Sequence, residues 1–374
     1  MAYVGFADCV IFAGKSHKKF PVILNNDHIV NRLTLKYVLS QRILWGGRTL
    51  HTYTKHICDF ISQLEVENEE GSFDHIDHLW LEAYADQVFR RNQNTENYVA
   101  QLLSSVIRFL LWCEDQNYCK KLIGVNSSFK IRVIKTKNGF THNLIRYYQN
   151  RKSLPKIAPR DKWIKAVLAE EQFKSIDLEN RLSLIVKWGE RAGLRAHEIC
   201  ALKLNQIPAR EILENSIIEK KNIFVEFTET KGTKRAKIPV SGILLLKTRD
   251  YIELERDKII KKISKKNLLE HKVYIPPDEV FISSTTGQAL HPRTLSNQIR
   301  SRWLQAVKNG RLTEDQHVWL HGLRHRFATD KLKEISKLPH ISDPHEVTKI
   351  LTRHSHSSGL DPYVTSIYFE DNYE

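Results

Sequence analysis

HGLRHRFATD, residues 321–330, is the stretch on which the reading of this chain turns. Two histidines and two arginines fall within six residues and run on into Phe-Ala-Thr. Written on a helix, His321, Arg324 and His325 stand at i, i+3 and i+4 and share one face. Leu320, Leu323 and Phe327 have the spacing to anchor the neighbouring face in a core. Arginine offers a planar fork matched to two phosphate oxygens. Histidine gives or takes a proton near neutral pH. Taken alone, these residue types leave three readings open: a solvated basic face, a metal nest and a phosphate site.

A second stretch, AGLRAHEICALKL at 192–204, narrows the choice. Gly193 has the place of a helix-ending glycine. Arg195 follows it, and Glu198 is three residues on, a carboxylate able to orient the guanidinium. Ile199, Leu202 and Leu204 read as buried. A third, ETKGTKR, sets Lys231 in a turn between two alternating runs, NIFVEF and AKIPV, where a lysine can act as a point charge or proton donor.

The whole chain sets the class. It has 374 residues with a net charge of +15, and such a balance implies an anionic partner, nucleic acid before membrane surface. At 41% hydrophobic residues it buries real cores and is not a disordered chain. Five scattered cysteines with no CxxC pair suit a reduced, intracellular protein. No signal peptide is expected, because GKSHKK follows at once on FADCVIFA. The longest apolar runs, such as VIRFLLWC, are too short to span a bilayer.

The first half reads as helices. RTLHTYTKHICDFISQLE carries Leu50, Tyr53, Ile57, Phe60, Ile61 and Leu64 on one face. HIDHLWLEAYADQVFRR gives a second face through Ile76, Leu79, Trp80, Ala83 and Val88. TENYVAQLLSSVIRFLLWCED gives a third, with Thr95 as its N-cap. A basic, proline-bearing stretch, 151–163, reads as a linker. The second half is mixed, with two hairpin strands around TKGTK among further helices. The expected class is mainly α with a small antiparallel β-sheet (α+β). The expected organisation is an N-terminal segment and helical domain over 1–150, the linker 151–163 and a mixed domain over 164–374.

Gly-Leu-Arg with a glutamate three residues later, a lysine hairpin, His-x-Leu-Arg-His-x-Phe-Ala-Thr, and then a histidine and a tyrosine near the C-terminus, in that order, resembles the tyrosine recombinases, the phage integrase family. The resemblance covers about 160–374, with HGLRHRFAT its strongest match, and extends more weakly to the helical first half; it implies a DNA-binding core-binding domain over 1–150 and a catalytic domain over 164–374. It implies a site-specific DNA recombinase or integrase of the kind carried by mobile genetic elements, using no metal and no nucleotide cofactor. Arg195 and Arg324 would clamp the scissile phosphate, and Lys231 would protonate the leaving 5′ oxygen. His321 and His354 would hydrogen-bond the phosphate or move the nucleophile's proton. Glu198 would orient the arginine, and His325 would support the site from behind. The implied partner is double-stranded DNA, bound as a homotetramer on two sites, with accessory DNA-bending proteins where the reaction needs them. No membrane is involved, and the protein would be cytoplasmic and DNA-associated. The competing expectations are a catalytically degenerate DNA-binding relative and a type IB topoisomerase-like nickase.

The nucleophile lies in ILTRHSHSSGLDPYVTSIYFEDNYE. Counting nine residues from His354 gives Tyr363, the family's usual spacing. The local words VTSIY select Tyr368, with GLDP as an enlarged loop and Asp361-Pro362 as a helix start. Tyr368 is the expected nucleophile and Tyr363 the alternative. Two departures stand out: His197, where the family usually has a small hydroxyl residue, and a tail that ends six residues after Tyr368. Protomers would then be linked by another segment, with SKLPHISDPHE a candidate.

Overall fold

The structure is a computed structural model, and it describes residues 1–353 except 13, 43, 46, 68–71, 92–93, 138, 151–156, 172–174, 228–235 and 340. The chain divides into two compact units, Met1–Ser153 and Leu154–Glu374. Among the described residues the chain is mainly helical, and the sheets are two-stranded.

The first unit opens on an antiparallel hairpin, β1 (Tyr3–Phe12) and β2 (Lys15–Leu24). Its register pairs Tyr3 with Leu24 and Phe12 with Lys15, and Gly14, just before β2, has a φ of 71°. The helices α1 (Arg32–Gln41), α2 (Gly47–Glu67), α3 (His78–Arg90) and α4 (Glu96–Asp115) follow. Short strands β3 (Ile123–Gly124), β4 (Ile131–Arg132), β5 (Ile134–Thr136) and β6 (Gly139–Thr141) lead to α5 (Asn143–Asn150).

The apolar stripe of α2 is buried as its spacing predicts, with Ile57, Phe60 and Leu64 closed to solvent. On α4, Thr95 caps the first turn by accepting the Tyr98 N–H at 3.3 Å, and Val99, Leu102, Leu103, Val106, Phe109, Leu110 and Cys113 fill the core. A polar pair crosses between the two helices, His56 Nδ1 to Ser105 Oγ at 2.8 Å. The face expected for α3 is corrected in part: Ile76 and Val88 are buried and Trp80 is half-buried, but Leu79 and Ala83 are exposed, and the buried positions on the helix are Leu81, Tyr84, Ala85 and Val88, again at i, i+3, i+4 and i+7. The reason is packing: Tyr84 turns inward because its hydroxyl reaches Asp59 at 2.8 Å while its ring meets Phe60.

The second unit begins with α6 (Asp161–Leu168), which starts inside the stretch read as linker. Next come α7 (Ile176–Ala192), α8 (Ala196–Cys200), α9 (Arg210–Ile218), the antiparallel pair β7 (Asn222–Phe227) and β8 (Ala236–Ser241), and α10 (Gly242–Asp250). A π-helical turn at Tyr251–Arg256 runs into α11 (Asp257–Leu269), followed by α12 (Pro292–Lys308), α13 (Leu320–Ser336) and α14 (Pro344–Thr352).

Helices α7 and α13 form the spine of this unit. Leu323 is wholly buried and lies over Gly189, whose missing side chain lets the helices approach; a Cβ there would come within 3.0 Å of Leu323 Cβ. Phe327 is buried one turn on, against Gly193. Burying side chains of this size stabilises the contact by roughly 1.5–3 kcal/mol each. Trp188 on α7 is closed to solvent and donates its ring N–H to Thr248 Oγ1 at 3.0 Å, tying α7 to α10. Arg302 on α12 is fully buried against Glu179 at 2.5 Å.

Gly193 ends α7 with a φ of 61°, the left-handed conformation that glycine adopts without strain. A methyl group there would overlap the Phe327 ring. Gly193→Ala therefore meets both a backbone and a packing penalty, and it is expected to lower stability by at least about 2 kcal/mol. Thermal unfolding of the variant checks this, and an unchanged melting temperature would refute the assignment of Gly193 as a required turn.

Candidate active site

Three guanidinium groups converge on two acceptors where α7 ends. Arg195 stands at the N-cap of α8, in extended backbone just after the Gly193 turn. Glu198 on the first turn of α8 accepts the Arg195 backbone N–H at 2.8 Å on Oε2 and its Nη1 at 3.1 Å on Oε1. One carboxylate thus caps the helix and grips the side chain that precedes it. Glu198 is almost wholly buried, whereas the Arg195 side chain keeps a fifth of its surface in solvent.

Arg324 comes from α13 and is fully closed to solvent. It donates Nη1 to the Gly193 carbonyl at 2.6 Å and Nη2 to the Thr352 carbonyl at the end of α14. The third guanidinium belongs to Arg353, directly after α14. Its Nη2 donates to Glu198 Oε2 at 2.8 Å and to the Gly193 carbonyl at 3.1 Å. Arg353 holds a φ of 57°, a left-handed conformation that costs a side-chain-bearing residue about 1 kcal/mol. Its Nε and Nη1 are buried and donate no hydrogen bond to the described residues.

The electrostatics follow from this crowding. Burial alone would raise the Glu198 pKa, but Arg353, the Arg195 N–H, Arg324 and Arg195 outweigh it and hold the carboxyl below its ordinary value. Burial pulls the Arg353 pKa down despite Glu198, but a guanidinium starts so high that it stays charged at neutral pH. Three cations therefore share one carboxylate in a largely water-poor place, leaving a positive excess.

His321 lies one turn before Arg324 on α13, exposed at the helix surface. Its pKa is lowered, first by loss of solvent and then by Arg324 and Arg195, with Glu198 opposing. It is therefore neutral at pH 7, with one ring nitrogen free to accept a proton. His325 meets His321 edge-on at 5.0 Å between ring centroids and lies 5.8 Å from Trp319. Trp319 in turn stacks on His317.

Of the residues singled out in the sequence, Arg195, Glu198, His321, Arg324 and His325 are described, and the first four are brought together. Lys231, His354, Tyr363 and Tyr368 lie outside the described residues. The strands that flank Lys231 pair as a hairpin, with Phe227 opposite Ala236. Arg353 was not singled out. Its only signal is its place beside His354 in TRHSHSS, because its reach to Glu198 depends on a left-handed turn that no periodicity announces. Among the described residues, no group of three or more His, Cys, Asp or Glu side chains is arranged to hold a metal ion. No described helix is long and apolar enough to cross a membrane.

No family model matches the chain. The tyrosine recombinase XerC of Halalkalibacterium halodurans is 23% identical to it over 299 residues, which span 77% of this chain and 87% of the relative. The XerH site-specific recombinase in its post-cleavage complex with palindromic difH shares the fold with a TM-score of 0.53 at 16% identity, covering 91% of this chain and 88% of that one. A lambda integrase dimer bound to a COC′ core site gives 0.55 at 13% identity over 88% and 93% of the two chains. A lambda integrase tetramer bound to a Holliday junction gives 0.53 at 14% over 88% and 78%. The chain is thus similar in sequence to a tyrosine recombinase and shares the fold of site-specific recombinases and integrases.

Glu198 should report on the cluster through stability. Its lowered pKa means that its ionised form contributes stability above the unfolded carboxyl value of about 4.3, and that this contribution is lost as pH falls through the lower folded value. Removing it strands buried cations, so Glu198→Ala is expected to cost about 3 kcal/mol at pH 7. The gap between wild type and variant should narrow in acid below about pH 4. Denaturant titrations across pH check both, and a gap that does not depend on pH would contradict the ion-pair account.

Proposed function

We propose that the chain is a site-specific DNA recombinase that cuts and rejoins strands through a 3′-phosphotyrosyl intermediate. The observation that carries this reading is the positive excess left by three guanidinium groups around one buried carboxylate. Such a site wants an anion, and a phosphodiester in transit gains charge on its non-bridging oxygens. Each well-placed donor there contributes about 3 kcal/mol to the transition state. The relatives in complex with difH, a core site and a Holliday junction support DNA as the anion.

In the proposed reaction the Tyr368 oxygen attacks the scissile phosphorus. The phosphorus–O5′ bond breaks, and Lys231 supplies the proton that the leaving oxygen needs. Arg195 and Arg324 hold the non-bridging oxygens, with Arg195 oriented by Glu198. His321 and His354 hydrogen-bond the phosphate or take up the tyrosine proton, and His325 backs His321. A phenol with a pKa of about 10 is ionised to roughly one part in a thousand at pH 7, a deficit of about 4 kcal/mol. Neighbouring cations and a neutral histidine base offset it. One phosphoester replaces another, so the exchange needs no nucleotide, and rejoining is the same step run by an incoming 5′ hydroxyl.

The protein would work in the cytoplasm on double-stranded DNA as a homotetramer on two sites. Phosphate contacts would dominate affinity, and accessory bending proteins would be recruited where the reaction demands them.

A DNA site nicked so that the short 5′ fragment escapes should trap a covalent protein–DNA band on a denaturing gel. Tyr368→Phe should abolish the band and Tyr363→Phe should leave it. Loss only with Tyr363→Phe would move the nucleophile to Tyr363. No band with any cognate site would favour a degenerate DNA-binding relative, whereas relaxation of supercoiled DNA at no defined site would favour a topoisomerase-like nickase.

A further inference from the structure

We propose that Arg353 is a positioning residue of the cleavage site: its guanidinium clamps Glu198 to the Gly193 carbonyl and so holds Arg195 in register with Arg324. The proposal rests on the DNA-cleavage reading above. Nothing in the motif order assigns Arg353 a role, and three observations do.

The first is geometric. Arg353 Nη2 spans two acceptors that serve the two other arginines: Glu198, which grips Arg195, and the Gly193 carbonyl, which accepts from Arg324. Arg353 is thus a hydrogen-bonded link between the Arg195–Glu198 pair and the carbonyl that Arg324 uses. The second is conformational. The residue after α14 takes a φ of 57°, where glycine fits without strain and arginine does not. A position that needed only a helix stop has no use for a guanidinium. The third is burial. The Arg353 side chain keeps 11% of its surface, although a long cation beside a helix end can readily extend into water. It is turned inward against its solvation, and the partner that it meets is the carboxylate of the site.

The electrostatics agree with this placement, since Arg353 is the strongest of the charges that hold Glu198 ionised. In consequence, the end of α14 is tied to the Arg195–Glu198 turn by an ion pair as well as by the Arg324 contact to Thr352.

Arg353→Gly separates the side chain from the backbone, because glycine suits the observed φ. Single-turnover cleavage of the nicked site is expected to fall by about 10–100-fold, as for other groups that orient a site's contacting residues. Arg353→Lys should recover part of the rate, since charge returns without the fork. The decisive readout is pH. In Arg353→Gly, Glu198 loses its main counter-charge, so its folded pKa rises and the acid-side fall in melting temperature begins at a higher pH than in wild type. That displacement should vanish in a Glu198→Gln background, where no carboxyl is left to titrate. A cleavage rate within twofold of wild type, or parallel melting curves against pH, would overturn the proposal. Wild-type protein that fails to cleave DNA sinks the cleavage reading alone, because the melting curves without DNA still decide whether the clamp on Glu198 exists.

Discussion

The peptide at Gly193 is the constraint on which the rest of the second unit depends. Its left-handed turn stops α7, fits beneath Phe327 and swings Arg195 into place as the cap of α8. Its carbonyl, released from the helix ladder, becomes the acceptor for Arg324 and Arg353. A carbonyl at the C-terminal end of a helix carries partial negative charge, so guanidinium donors are well matched to it. One glycine thus sets the direction of the chain and supplies part of the field that holds two cations.

Around that point the site is built from elements far apart in sequence. The Gly193–Glu198 turn supplies one arginine and a carboxylate that touches two of the guanidinium groups. The α13 helix supplies Arg324 and His321, held to α7 by Leu323 and Phe327 over the two glycines. The end of α14 supplies Arg353 and a carbonyl for Arg324. Like charges this close repel, and their assembly is tolerable because each guanidinium has at least one fixed acceptor. The residual positive charge is left for a ligand, and a buried site of this kind acts on charge that develops in a transition state more strongly than solvated lysines could.

Much of this was legible in the sequence, for physical reasons. HGLRHRFATD declares its helix because the apolar positions Leu320, Leu323 and Phe327 repeat with helical period, and the polar ones fall where that period puts them. GLRAHE declares its turn because glycine marks a left-handed stop and a glutamate three residues after an arginine can reach back to it. The hairpin pair NIFVEF and AKIPV shows through strict alternation. The N-terminal hairpin Tyr3–Leu24 was not legible: β2 is charged through KSHKK, and its buried residues come together at Phe20–Ile23 instead of alternating. The face of α3 was misjudged because Leu79 is apolar yet exposed, and a polar tie between Tyr84 and Asp59 settles which side turns in. Arg353 was invisible because its importance comes from a backbone turn and a carboxylate 155 residues away.

The central claim is that a fork of guanidinium donors, held by the Gly193 carbonyl and Glu198, carries the chemistry at phosphorus. The most direct test is single-turnover cleavage of the nicked site by Arg324→Lys, with DNA affinity measured on the same preparation. The charge is kept and the fork is lost, so the cleavage rate should drop by about 100-fold or more while affinity, set by many other phosphate contacts, changes only a few-fold. A variant that cleaves at the wild-type rate, or one that loses affinity and rate in equal measure, would contradict the account.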